Sequence, residues 1–128
     1  MTTTDLIIIG AGPGGYHTAG YAAKHGLKVI IIEKGELGGT CLNEGCIPTK
    51  CFAHDADLYR NPLVAKCGGE VEFKPILERK NQVVAQLVSG IGTLLSQPGI
   101  TLMKGEAHFI NAHTVEIGEE QYTAKNIM

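Results

Sequence analysis

The sequence predicts an α/β fold, a parallel sheet with helices followed by a small antiparallel β-meander. Three observations predict it. A continuous apolar run, "DLIIIG" from Asp5 to Gly10, has the composition of a strand buried on both faces. Small residues at helical spacing follow it and lead into a second apolar run, so that strand, helix and strand fit into about 30 residues as a βαβ unit. Towards the end, short alternating segments broken at Asn111-Ala112 and Gly118 read as small paired strands.

Each element has a local reason. The leading "MTTT" carries no pattern and reads as a short disordered lead-in before the first strand. From Gly14 to His25 alanines and glycines recur at helical spacing, and Gly26 supplies the stop. The second strand runs from Leu27 to Ile32 and is closed by Glu33, and the crossover should be right-handed. Thr49 to Tyr59 has helical character that Asn61-Pro62 interrupts. Between Lys74 and Ser96 the positions of Ile76, Leu77, Val83, Val84, Leu87, Val88, Ile91, Leu94 and Leu95 follow a 3.6-residue period, which predicts an amphipathic helix covering the sheet. Pro98-Gly99 ends it, and "ITLMKG" reads as a further strand. The final "NIM" reads as the start of another apolar strand in which the chain stops. Cut there, a parallel sheet would keep an apolar edge open to pairing, so the expectation is a piece of a longer protein.

Composition limits the function classes. The chain has 128 residues, 44% of them hydrophobic and 19% charged, with a formal net charge of -2. That balance offers no basic surface for nucleic acid or an anionic membrane. The apolar runs are far shorter than the roughly 20 residues of a membrane-spanning helix, and no cationic leader precedes the first of them. A cytoplasmic or organelle-matrix protein is expected. Four cysteines are too few for a secreted disulfide scaffold, and a closely spaced pair in a reducing compartment points to redox chemistry or metal binding.

Between the first strand and its helix sits "GAGPGG", in which Gly10, Gly12 and Gly15 form G-x-G-x-x-G. Gly10 permits the tight turn, Gly12 lets the backbone approach a pyrophosphate, and Gly15 lets the helix pack near the strand. Pro13 suits the first helical turn, and the helix N-terminus offers free N–H groups to phosphates. Glu33 ends the second strand where an acidic side chain accepts hydrogen bonds from an adenosine ribose, and its charge repels a 2'-phosphate, favouring FAD or NAD over NADP. Together these predict a Rossmann-like dinucleotide site, with Lys34 at its edge as a mostly solvated charge.

"GGTCLNEGCIPTK", Gly38 to Lys50, places Cys41 and Cys46 five positions apart. On an ideal helix their Cα atoms would be roughly 8 to 9 Å apart, beyond the limit of about 7 Å for a disulfide. A bridge therefore demands a distorted turn, for which Gly45 gives backbone freedom and Pro48 interrupts the ladder. A reducible disulfide is compatible with the spacing, and Lys50 with a helix N-terminus would favour thiolate. A zinc site built with Cys51 and Cys67, or a pair of inert buried thiols, are the alternatives; the intervals match no common zinc knuckle, and no metal is expected.

The run "LIIIGAGPGGYHTAGYAAKHGLKVIIIEK" leading into "GGTCLNEGCIPTK" resembles the pyridine nucleotide-disulfide oxidoreductases over essentially the whole chain, and Leu42 and Ile47 resemble the lipoamide branch. The resemblance implies an FAD-binding domain over residues 1–128, with the NAD-binding and dimerisation domains lying outside it. It implies that Gly10, Gly12, Gly14 and Gly15 wrap the FAD pyrophosphate, that Glu33 holds the ribose, and that Gly39, Thr40 and Cys41 line the cofactor. Cys46 would be the sulfur nearest the flavin, Cys41 the thiol that exchanges with substrate, and Lys50 a neighbour of flavin N5. Ala107 would approach the adenine through its backbone. The implied reaction oxidises dihydrolipoamide, or another small dithiol such as those of the glutathione and mercuric branches, through Cys41 and Cys46 to FAD and on to NAD, in a homodimer. None of His17, His25, His54, His108 and His113 matches the family's acid/base histidine, and the 128 residues alone are expected to lack dehydrogenase turnover and to bind FAD weakly. A non-catalytic nucleotide-binding or thiol-switch module is the second reading.

Overall fold

The computed structural model describes residues 2–128. The chain runs β1 (Thr2–Ile9), α1 (Pro13–Lys24), β2 (Val29–Glu33), α2 (Gly39–Asn43), α3 (Cys46–Arg60), α4 (Pro62–Ala65), α5 (Phe73–Leu95), β3 (Ile100–Lys104), β4 (Ala107–Asn111), β5 (Thr114–Ile117) and β6 (Glu120–Ile127). All strands join one sheet in the order β3-β2-β1-β6-β5-β4. The first four of that order are parallel neighbours, while β4, β5 and β6 form an antiparallel meander. The predicted α/β class, with a parallel sheet and a terminal meander, is the observed one.

Alternation along the central strands explains why their sequence is apolar without a break. Ile8, Val29 and Ile31 point to one face, where they pack with Ala19 and Ala22 of α1 and Ile91 and Leu95 of α5. Ile7, Ile30 and Ile32 point to the other, where Val115, Tyr122 and Ala124 of the meander cover them. Both faces are dry, so every position must be apolar. The two covers differ: helices lie on one side, and strands of the same sheet fold over the other.

Three expectations change. Thr2–Thr4 are part of β1, paired with Tyr122–Ala124 of β6, and only Met1 of the expected lead-in lies outside the described residues. Threonine's β-branched side chain suits a strand, but a run of three shows no apolar alternation to mark one; Thr4 also donates its hydroxyl to the Lys28 carbonyl. The final "NIM" is no separate strand but the end of β6, with Asn126 opposite Leu6 and Ile127 opposite Ile7. The edges of the sheet are β3 and β4 instead.

The third change concerns α5. Its 23 residues span about 35 Å, whereas the five-residue strands β2 and β3 span about 17 Å, so the helix has to overhang the sheet. Only Ile91 and Leu95, near its C-terminal end, are buried. The overhang lies along α3, to which Arg79 ties it by pairing with the buried Asp55 at 2.9 and 3.1 Å and donating to the Cys51 carbonyl at 3.2 Å. The hydrogen bond that Arg79 donates to Asp55 holds its guanidinium above the ordinary pKa. No helix among the described residues is long and apolar enough to cross a membrane.

Candidate functional site

The glycine loop forms because β1 must turn sharply into α1. Gly10 has φ of +100°, a conformation costly for any residue with a Cβ, and its N–H donates to the Ile32 carbonyl at 2.7 Å. Gly15 is buried against the strand, where a Cβ would collide with the Gly10 carbonyl oxygen and approach Ile8 within 3.3 Å. Gly12 is the N-cap of α1, with Pro13 in the first turn and no side chain capping the helix. A Cβ on Gly10 or Gly14 would meet no atom within 4 Å among the described residues, so the outer face of the loop opens onto free space.

Glu33 sits at the end of β2, half-buried, and both of its oxygens are engaged. Oε2 accepts from the Ala11 N–H and Oε1 from the Gly35 N–H, each at 2.7 Å. Beside it lies a cleft of about 230 Å³ lined by Ile9, Gly10, Ile32, Glu33, Lys34 and the Gly105–Ala107 turn. Lys34 is largely exposed and pairs with Glu106 at 3.1 Å across this rim. Lys104 donates to the Gly35 carbonyl from β3. Gly10, the Glu33–Lys34 pair and Ala107, from three separate stretches of sequence, therefore share one cleft.

The cysteine motif folds as two helices with a break between them. Helix α2 ends at Asn43, α3 starts at Cys46, and Gly45 between them has φ of -121° and ψ of -109°. A Cβ on Gly45 would be 3.0 Å from the Thr40 carbonyl oxygen. The break brings the Cys41 and Cys46 Cα atoms to 4.7 Å, and the two form a disulfide. The distorted turn required by the spacing is thus present. Asn43 donates to the Leu37 and Gly39 carbonyls at 2.9 Å each, and Thr49 to the Gly45 carbonyl at 2.7 Å, which hold the break. Cys51 is a buried free thiol and Cys67 an exposed one. No group of three or more potential metal ligands occurs among the described residues.

The two sulfurs occupy different surroundings. Cys46 is exposed, with Thr49 and Lys50 exposed on the following turn. Cys41 is half-buried and lines an apolar cleft of about 240 Å³ with Pro13, Tyr16, Leu42, Ile47, Leu87 and Ile91. Sequence reading missed Tyr16, Leu87 and Ile91 as site neighbours; the α5 pair carried only the signal of an apolar helix face. It also missed Ala11 and Gly38, whose backbone joins the loops: the Gly38 N–H donates to the Ala11 carbonyl at 2.8 Å, and Gly12 and Gly39 pack backbone to backbone. Thr40, on α2 between Gly39 and Cys41, lies on the side facing Glu33 and Lys34. The histidines are all exposed, and none lines the cleft at Cys41; His25 is bound to the Tyr21 carbonyl.

A Rossmann-like α/β unit whose glycine loop abuts a helix-junction disulfide defines the class: a nucleotide-type fold carrying a dithiol/disulfide pair. The chain belongs to the pyridine nucleotide-disulphide oxidoreductase family, whose model matches residues 4–128. It is 40% identical over 131 residues to dihydrolipoyl dehydrogenase of Mycoplasma genitalium, covering 97% of this chain and 29% of the relative. It is 41% identical over 133 residues to dihydrolipoyl dehydrogenase of Staphylococcus aureus, covering 96% and 28%. The fold superposes on the Cu(II) complex of the HOCl-induced flavoprotein disulfide reductase RclA from Escherichia coli with a TM-score of 0.86 and 34% identity, over 99% of this chain and 28% of that one. The chain thus spans under a third of the length of these relatives.

Proposed function

We propose that residues 1–128 are the FAD-binding part of a flavin-dependent oxidoreductase that oxidises dihydrolipoamide-type dithiols and passes the electrons to NAD. The observation that carries this reading is the direct contact between glycine loop and disulfide segment, through the Gly38–Ala11 hydrogen bond at 2.8 Å and the Gly12–Gly39 approach. A dinucleotide lying on the loop would reach the cysteines without crossing bulk water. The residues fit FAD: Gly10 and Gly14 leave room along the loop for a pyrophosphate, Glu33 keeps acceptor capacity towards a ribose, and the cleft of about 230 Å³ at Lys34 and Ala107 has room for an adenine. Gly12, Gly15, Gly39 and Thr40 would complete the bed.

FAD, when bound, would accept the electron pair from the dithiol and hand it on as hydride to NAD. The chain's own part is thiol exchange. A substrate thiolate attacks the Cys41 sulfur, a mixed disulfide forms, and Cys46 leaves as thiolate. The second substrate thiol then attacks the substrate sulfur of that bond; Cys41 is released, the substrate leaves as a disulfide, and two electrons remain on the cysteine pair. The surroundings support this division, since Cys41 faces an apolar cleft suited to an aliphatic dithiol carrier and Cys46 is the exposed sulfur at the start of α3. At the N-terminus of α3, with Lys50 one turn on, a Cys46 thiolate is favoured. NAD-binding and dimerisation segments would fall outside these residues.

The test is Cys46→Ser in the protein that carries this chain, assayed with dihydrolipoamide and NAD. Nearly complete loss of turnover with flavin retained is expected; unchanged turnover would refute the reading.

A further inference from the structure

The geometry points to a second role for Glu33, as a positioning residue that locks the glycine loop to the dithiol segment before any nucleotide arrives. This rests on the reading that the loop holds a dinucleotide. The Glu33 carboxylate accepts from the N–H groups of Ala11 and Gly35, both at 2.7 Å. Ala11 is fully buried, and on its other side its carbonyl accepts from the Gly38 N–H at 2.8 Å. Gly38 has φ of +101° and leads directly into α2, whose third residue is Cys41. One carboxylate, one buried residue and one amide therefore connect the end of β2 to the disulfide.

The chemistry suits a lock. Hydrogen bonds to an ionised acceptor are roughly twice as strong as neutral ones, and a carboxylate offers about four lone-pair sites. Two loop amides leave capacity for ribose hydroxyls, so holding the loop and binding a nucleotide do not compete. A Glu33 that served only as a ribose acceptor would be replaceable by glutamine in nucleotide-free protein without consequence for the loop. As a lock it is not replaceable, because glutamine turns its NH2 against one of the two amide donors.

Amide hydrogen exchange of the nucleotide-free protein that carries this chain, as wild type and Glu33→Gln, tests this. Ala11, Gly35 and Gly38 are expected to exchange about 10-fold faster or more in the variant. The Val29 amide, bonded to the Gly99 carbonyl inside the sheet, should keep its rate. Unchanged exchange at Gly38 overturns the proposal, even if Ala11 and Gly35 accelerate. Should the variant fail to fold, the wild type still decides: a scalar coupling across the hydrogen bond between Ala11 nitrogen and Glu33 Cδ is expected, and its absence where Gly10 and Ile32 show theirs overturns the lock. Titration with ADP separates the two readings. Wild-type chain that ignores ADP while Glu33→Gln loosens Gly38 would sink the dinucleotide reading alone; ADP binding with Gly38 unaffected would sink the lock alone.

Discussion

At the scale of single residues, glycines at the site are there for different reasons, and substitutions should separate them. Gly39 combines φ of +65° with a backbone so close that a Cβ would lie 2.9 Å from the Gly12 Cα. Gly39→Ala is expected to cost about 2 kcal/mol or more in chemical denaturation, since left-handed strain and displacement of the loop add. Gly14 has neither constraint: its φ is ordinary and a Cβ would meet nothing within 4 Å among the described residues. Gly14→Ala should leave stability within about 0.5 kcal/mol and weaken nucleotide binding only. Asp5 gives a pH test. Its carboxylate accepts from the Lys28 N–H at 3.0 Å, and that bond, helped by Lys125, holds its pKa below the ordinary 3.8. A lowered folded value means that stability is present above the ordinary pKa and lost as pH falls through the folded one. Wild type should lose more stability than Asp5→Asn as urea midpoints are followed from about pH 5 to pH 3. At this scale much was legible. The roles of Gly10, Gly15 and Gly45 follow from chain geometry, which a local sequence exposes. Ala11 and Gly38 were invisible, because they act through backbone groups that every residue has.

Among the elements, β2 and α5 differ in how well sequence specified them. In β2 four consecutive apolar residues are buried, with Ile31 at 0% exposure among α1 and α5 side chains. Ile31→Ala should cost about 2–5 kcal/mol, read as a shift of the denaturation midpoint at unchanged slope. Periodicity gave α5 within a residue or so, yet only part of its partners: Val88, Ile91, Leu94 and Leu95 cover the sheet and α1 as expected, while the N-terminal half lies along α3. A stripe records that a face is covered, not by what. The Asp55–Arg79 pair ties those two helices and predicts an asymmetry. Arg79→Met strands a buried carboxylate and should lower stability more than Asp55→Asn, which strands a half-exposed guanidinium. Equal losses would mean that the pair contributes by packing alone.

For the whole molecule, the loop, the cleft and the disulfide segment are held by one sheet, so a ligand that binds the folded chain and not the unfolded one must stabilise all of it. ADP or FAD at about 100 times its Kd should raise stability by about 2.7 kcal/mol, which for a chain of this size is about 10 °C in Tm. No shift with either ligand would count against a dinucleotide site. The apolar outer positions Phe109 and Ile110 lie on β4, one of the two edges of the sheet, rather than on the strand that the C-terminal residues form.

The amino-acid order alone determined the βαβ unit, the glycine turn, the acidic residue closing the second strand and the need for a bent backbone between Cys41 and Cys46. These depend on neighbours within a few positions, where steric and hydrogen-bonding rules act directly. Only the tertiary structure decided that the meander seals the second face of the sheet, that α5 contributes Leu87 and Ile91 to the cleft beside Cys41, and that Ala11 joins Glu33 to the dithiol segment. Those contacts form between stretches far apart in the chain, and their partners are chosen by burial and backbone pairing, which leave no mark in a single segment.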